Sequence, residues 1–554
     1  MFFRVKQSQN RKYLQIVENR REGGKVKQRV IGTVGRLDRL EGAGQLESLL
    51  ESGARLTESI LLINAHQQGE APVLSTKRIG AVKIFERLWS ETGCRQAIQD
   101  LLTDRKFDFP LERAIFLTVL HRVLAPGSDR SAERWREDYA IDGMDGLELH
   151  HLYRAMMWLG EEIPDQAGST GFSPRCVKDL IEEALFARRR DLFSELEMVF
   201  FDTTSLYFEG EGGETIGQRG YSKDHRPDLK QMVVGAVLDE SGRPVCCELW
   251  PGSTTDVKTL LPLADRLSRR FGVQRACLVA DRGMISQETI DELERRHWPY
   301  ILGARMRKQK EVSKNVLSRA GRYHEVREPG QDPKGRAPLK VKQVMVDQRR
   351  YIVCLNEAQA KKDAADREAI VAALQEQLKK GDKSRVGNRG YRQYLKTGDG
   401  PHFEIDQEKI KAEARYDGKW VLRANTDLSA SDVALKYKQL WQVESLFRDT
   451  KSLLETRPIF HQRDDTIRGH VFCSFLALIL RKALLERLDD GDDPIEWQDL
   501  LRDLESLQHV DVAHQGKRFR LRTEARGCSG RVFQRVGVAL PPTVQQIKEA
   551  SLAS

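Results

Sequence analysis

The chain has 554 residues and a formal net charge of +9, with 31% charged and 40% hydrophobic residues. This length exceeds what one hydrophobic core serves, so several domains are expected, and the composition excludes an intrinsically disordered chain. Without a secretory apolar block, a run of ~18 apolar residues or CxxC cysteine spacing, we expect a cytoplasmic protein of prokaryotic type, with no membrane partner and no zinc ribbon.

The positive charge is concentrated in two segments. Residues 1–40 contain 11 Lys/Arg against 3 Asp/Glu, and residues 301–350 contain 14 against 5. One such segment is ordinarily a solvated surface. Two of them on an otherwise acidic chain favour contact with a polyanion, here nucleic acid, at two places.

In chain order, the pattern changes from β to helix to β. Two β-rich runs flank Gly23 and Gly24, which predicts a basic N-terminal hairpin, and residues 41–70 are amphipathic and helical. Helical patterns then dominate up to residue 195. They suit either a DNA-binding module or simple support of the core.

From residue 196 the elements follow the order β-β-β-α-β-α-β, which predicts a ribonuclease-H-like α/β core with a mixed sheet of three antiparallel strands followed by α/β units. A basic, β-rich insertion interrupts this core. The predicted domains are the N-terminal module 1–75, the helical domain 76–195, the core 196–305, the insertion 306–425, the second part of the core 426–490 and a C-terminal region 491–554.

The central candidate is Asp202, which lies within the apolar strand 198–208. A buried charge costs several kcal/mol unless it is paired or bound to a metal. One interpretation is an aspartate at a strand end, satisfied in a turn by Thr203 and Thr204. The other is a functional carboxylate.

Two further carboxylates favour the functional interpretation. Asp281 ends a short apolar run, and Glu444 lies on a late helix. The strands of Asp202 and Asp281 are neighbours in a ribonuclease-H-like sheet, so their carboxylates converge and the late helix can present Glu444 to both. Oxygen ligands of this kind bind Mg²⁺ or Mn²⁺, and two ions support in-line phosphoryl displacement.

The late helix carries a polar stripe. Tyr437, Glu444 and Lys451 are seven residues apart and therefore share one face, with Arg448 one turn after Glu444. Arg448 and Lys451 are expected to hold phosphate oxygens, although a solvated face with charge pairs has the same pattern. Trp441 is expected on the opposite, buried face.

These segments resemble an insertion-sequence DDE transposase of the IS4 superfamily, in its IS1634-like branch. The matching pieces are FFDTTSLYFEG, RGYSKDHRPDLKQMVVG, PVCCELWPGSTTDVKTL, VADRGM and YKQLWQVESLFRDTKSLLETRPIFH. Tyr437, Glu444 and Lys451 match the superfamily's Tyr-x2-Arg-x3-Glu-x6-Lys motif, whereas Leu440 stands at the Arg position.

The resemblance implies that Asp202, Asp281 and Glu444 bind the metal ions. It implies cleavage of double-stranded DNA at terminal inverted repeats, strand transfer into target DNA, and a homodimer on the DNA. Two alternatives stay open: a nuclease that cuts without joining strands, and a DNA-binding descendant without activity.

Further DNA contacts are predicted near the core. The loop after the first strand contains Lys223, His225 and Arg226, which either contact DNA or only form the loop. Arg282 directly follows Asp281 and is either a phosphate clamp or part of a core ion pair. Tyr437 joins this group through the superfamily motif.

Overall fold

The structure is a computed structural model. Apart from isolated positions between 45 and 69 and at 169, it describes residues 1–8, 11–22, 25–42, 71–167, 173–189, 196–273, 275–327, 338–379, 392–397, 403–489, 494–514 and 516–547. These residues form two compact units. One contains residues 1–80, 496–534 and 539–554, and the other contains residues 81–495 and 535–538.

The chain begins with a three-stranded antiparallel sheet in the order β1-β2-β3. The predicted turn at Gly23 and Gly24, and most of the helical segment predicted for 41–70, lie outside the described residues. The N-terminal elements are β1 (Phe2–Ser8), β2 (Arg11–Glu22), β3 (Lys25–Arg36), α1 (Leu37–Gly42) and β4 (Val73–Arg78).

Helices follow, as the sequence predicts for this region. The first three pack their apolar side chains inward, and the 14-residue α4 is buried along nearly its whole length. The helices are α2 (Gly80–Glu91), α3 (Cys94–Leu101), α4 (Leu111–Leu124), α5 (Asp129–Trp135), α6 (Leu149–Leu159) and α7 (Val177–Arg189).

The order β-β-β-α-β-α-β predicted for the core is confirmed. The core elements are β5 (Met198–Tyr207), β6 (Gln231–Asp239), β7 (Pro244–Pro251), α8 (Leu260–Phe271), β8 (Cys277–Ala280), α9 (Gln287–Arg295) and β9 (Tyr300–Gly303). Strand β6 is buried at eight successive positions because both faces of the sheet are covered. Leu260, Leu263 and Leu267 bring α8 onto one face.

The insertion extends the core sheet. Strand β15 pairs antiparallel with β9, and the resulting nine-stranded sheet has the order β10-β11-β12-β15-β9-β8-β5-β6-β7. The elements of the inserted segment are β10 (His324–Val326), β11 (Leu339–Val346), β12 (Arg349–Leu355), α10 (Glu357–Lys379), β13 (Leu395–Thr397), β14 (Phe403–Ile405), α11 (Gln407–Ala414) and β15 (Lys419–Ala424).

The late helical region is segmented. It comprises α12 (Ala430–Lys438), α13 (Trp441–Arg448), a π-helical segment (Asp449–Leu453) and the largely buried α14 (Asp464–Leu488). Ser429 caps α12, since its Oγ accepts a hydrogen bond of 3.1 Å from Asp432 N. No helix of the described residues is long and apolar enough to cross a bilayer.

The end of the chain pairs with its beginning. Strand β16 lies antiparallel to β4, in a four-stranded sheet of order β18-β17-β16-β4. The C-terminal elements are α15 (Trp497–Glu505), β16 (Gln508–His514), β17 (Lys517–Arg522), α16 (Ser529–Val536) and β18 (Val544–Ile547).

A buried network of charges joins α7, α8 and the sheet. The Arg270 guanidinium lies 2.6 Å from Glu182, 2.8 Å from Glu183 and 3.2 Å from Glu248. Arg266 and Lys178 complete the network, each with Asp179 as a partner. The Arg270 side chain is only 1% exposed, so these pairs are shielded from water.

Candidate active site

Asp202, within β5, and Asp281, directly after β8, lie at the same level of two neighbouring strands. Strand β5 is parallel to β8, and the last registered pair joins Phe201 to Ala280. Asp202 and Asp281 are the next residues on their two strands. The parallel register therefore places the two aspartates side by side at the C-terminal end of β8, on neighbouring strands as the sequence predicts.

Asp202 is half-buried, and its carboxyl has a raised pKa. Its Oδ1 accepts a hydrogen bond of 2.7 Å from Thr203 N. The pKa of Asp202 is raised to about 6, chiefly by desolvation and also by the nearby charges of Asp281 and Asp256, against the opposing effects of Lys223 and the Thr203 hydrogen bond. An aspartate with this environment is a functional candidate.

The raised pKa predicts a stability effect. The folded carboxyl keeps its proton to about pH 6, but an ordinary aspartate loses it near 3.8. The metal-free protein should therefore lose stability as the pH rises from about 4 to 6, with the full cost present above pH 6. Asp202→Asn should raise the free energy of unfolding at pH 8 by up to about 3 kcal/mol.

Urea unfolding of the wild-type protein and of Asp202→Asn, at pH 4 and pH 8 in the presence of a metal chelator, checks this prediction. The control is Asp291→Asn, a change at an exposed helical aspartate. A gain for Asp202→Asn that is equal at both pH values contradicts the prediction.

Tyr437 fixes Asp281. Its hydroxyl donates a hydrogen bond of 3.0 Å to Asp281 Oδ1, and burial raises the pKa of Tyr437. Helix α12 brings Tyr437 there by packing on β8 and β9. Gly303 leaves room for the ring, since a Cβ atom at this position would lie 2.5 Å from the Tyr437 hydroxyl.

Asp256 is a third carboxylate of the site that sequence reasoning missed. Thr203 Oγ1 donates a hydrogen bond of 2.7 Å to Asp256 Oδ1. A Cβ atom at Gly283 would lie 3.5 Å from Asp256 Oδ2 and 3.9 Å from Asp281 Oδ2, so the two carboxylates flank this glycine. The available signal was an aspartate soon after the end of a strand, within PGSTTDVKTL.

Glu444 does not join the two aspartates in one close cluster. Helix α13 packs on β5 and β6, and Glu444 is exposed. Within the described ranges, the one group of three potential ligands within 4.8 Å is Asp129, His461 and His470, so Asp202, Asp281 and Glu444 do not close to that distance. The triad therefore stays a prediction.

The prediction for Trp441 is wrong. This side chain is 60% exposed and shares the exposed face of α13 with Glu444 and Arg448. Residues at spacings of three and seven lie on the same side of a helix, whereas Val443, Leu446 and Phe447 occupy the buried side.

Lys451 is bound to a carboxylate in the loop after β5. Its Nζ lies 2.8 Å from Asp224 Oδ1, and burial lowers the pKa of Lys451. Arg457 Nη1 lies 3.0 Å from Asp224 Oδ2, a purely ionic contact because the geometry gives no hydrogen bond. The ends of the predicted stripe, Tyr437 and Lys451, thus both hold aspartates.

The remaining candidates differ in accessibility. His225 is exposed with a φ of 58°, and Arg226 pairs with Asp228 while lying over the Tyr207 ring.

The loop of Arg282 is held by Arg305, whose guanidinium donates to the Arg282 and Gly283 carbonyls at 2.9 Å. Beside Asp281 an open groove is lined by Tyr221, Arg282, Arg305, Arg307 and Lys308.

The donor chemistry fits divalent magnesium or manganese. The converging ligands are carboxylate oxygens, and no side-chain cation of the described residues donates a hydrogen bond to the half-buried Asp202. Oxygen-only sites of this kind suit Mg²⁺ and Mn²⁺ better than zinc.

A mixed sheet with aspartates at one level of two parallel strands, and a glutamate-bearing helix on the first strand, is typical of ribonuclease-H-like phosphoryl transferases that act on nucleic acid. The family model of the transposase DDE domain matches residues 194–480. The model of the IS1634 family transposase N-terminal domain matches residues 3–65. The chain belongs to the IS1634-like DDE transposases. Curated proteins yield no match to this chain.

Proposed function

We propose that this transposase cuts DNA at the terminal inverted repeats of its element and joins the freed 3′-hydroxyl to target DNA. The observation that carries the proposal is the register of β5 and β8, which brings Asp202 and Asp281 to the same level of two neighbouring strands. The helix of Glu444 packs on the first of these strands.

In this mechanism the protein positions carboxylate oxygens. Asp202, Asp281 and Glu444 would hold two Mg²⁺ or Mn²⁺ ions, which supply charge stabilisation to the attacking and leaving oxygens. The Thr203 N–H orients the Asp202 carboxylate, and the Tyr437 hydroxyl orients that of Asp281. The mechanism requires a shift of α13, because Glu444 is exposed and does not cluster with the aspartates.

Basic side chains around Asp202 and Asp281 bind the DNA backbone. Arg448 is exposed one turn after Glu444, and Arg282 lines the groove beside Asp281. His225 and Arg226 extend the surface along the loop after β5. Lys451 reaches a phosphate only by exchanging its partner Asp224.

Transposition requires two DNA ends in one complex. We therefore assign the active species as a homodimer on DNA, in the cytoplasm of a prokaryotic cell and at the nucleoid when bound. The N-terminal module and the insertion carry the basic segments that suit a second DNA contact.

A strand-transfer assay tests the function. With Mg²⁺, a duplex ending in the element's inverted repeat and a plasmid target should give joined products. Cut duplex without joined product would replace the proposal by a nuclease. A shifted but intact duplex would replace it by a DNA-binding protein without activity.

A further inference from the structure

The sequence predicts that Lys223 either contacts DNA or only forms its loop, and the structure places its ammonium beside Thr203 and Asp256. Its Nζ donates to the Thr203 carbonyl at 2.7 Å and to Thr203 Oγ1 at 2.8 Å, and it lies 3.2 Å from Asp256 Oδ2. An ammonium has three N–H donors, so these three contacts leave none for a phosphate.

Thr203 links this ion pair to the catalytic strand. The residue is 2% exposed. Its N–H donates to Asp202 Oδ1, and its hydroxyl donates to Asp256 Oδ1, both at 2.7 Å. Ser205, two residues further along β5, holds the backbone of Lys223, since its Oγ accepts from Lys223 N at 2.8 Å.

The ion pair of Lys223 and Asp256 also affects the net charge of the site. Asp256 and Asp202 are close enough to repel each other, and Lys223 attracts both carboxylates. Without Lys223, the site would hold three mutually repelling carboxylates, those of Asp202, Asp256 and Asp281. With it, Asp256 is neutralised, and Asp202 and Asp281 remain to bind a cation.

We infer that Lys223 and Asp256 are positioning residues, whose ion pair holds Thr203 and sets the net charge that a divalent cation meets at Asp202 and Asp281. The inference deepens the proposed function and rests on it for the identity of the metal site. It assigns Lys223 to the site instead of to DNA.

The test is Mn²⁺ titration of the DNA-free protein, followed by electron paramagnetic resonance. Lys223→Met should tighten Mn²⁺ binding by about three- to tenfold, and Asp256→Asn should weaken it by a similar factor, because each changes the local charge by one unit. The double variant should return near the wild-type affinity. Lys223→Arg, which keeps the charge, should stay within about twofold of wild type, and Lys230→Met serves as the control from the same loop.

DNA affinity supplies the second readout, by fluorescence anisotropy without metal at several salt concentrations. Lys223→Met should leave the dissociation constant and its salt slope unchanged. A slope reduced by about 1 would show that Lys223 contacts a phosphate and overturn the inference. The inference would also be overturned if Lys223→Met and Asp256→Asn shifted the Mn²⁺ affinity in the same direction. Both readouts hold even if strand transfer fails, so the two failures are distinguishable.

Discussion

Replacing Asp202 or Asp281 with Asn should slow DNA cleavage and strand transfer by about a thousandfold or more. Each variant keeps the size of the side chain but removes a negative oxygen ligand. Metal ions contribute several kcal/mol of charge stabilisation in such reactions, and each 1.36 kcal/mol is a factor of ten in rate. Single-turnover cleavage of a labelled duplex measures the loss.

Glu444→Gln should show a loss of the same size, although Glu444 is exposed in this arrangement. The three variants should retain DNA binding within about twofold in anisotropy without metal, since backbone contacts carry most of the affinity. Asp291→Asn, on an exposed face of α9, is the control. A variant that keeps activity within about tenfold of wild type removes that residue from the active site.

Arg270→Ala should lower the free energy of unfolding by about 3–5 kcal/mol, because it leaves buried carboxylates without their partner. Arg270 contacts Glu182, Glu183 and Glu248 from a position that is almost free of solvent. The burial cost of Glu182, whose pKa is raised by desolvation, would then lack this compensation.

Chemical denaturation at pH 7 measures this effect. Arg269→Ala is a matched control, because Arg269 is adjacent on α8 but exposed, and its loss should stay within about 0.5 kcal/mol. If Arg270→Ala does not accumulate as folded protein, Lys178→Met removes another cation of the network and should cost a similar amount. Losses below about 1 kcal/mol for both variants would show that the network is dispensable.

The sequence predicted that Asp202 and Asp281 lie on neighbouring strands because the signals for both residues are local. Asp202 within an apolar strand and Asp281 at the end of another depend only on short-range periodicity, and the register of β5 and β8 places them at one level. Trp441 was misplaced although three-residue spacing puts it on the face of Glu444. Asp256 was missed because an aspartate after Ser253 and two threonines is typical of a helix start.

The sequence by itself determined the order of core elements and the positions of Asp202 within one apolar strand and Asp281 after another, since hydrophobic periodicity is set within a few neighbouring residues. Only the tertiary structure decided that Lys223 points at Asp256, that β15 extends the core sheet, and that β4 pairs with β16. Such contacts join residues far apart in the chain. Their choice depends on the packing of the whole unit, because no local pattern specifies which distant partner a strand or a charge meets.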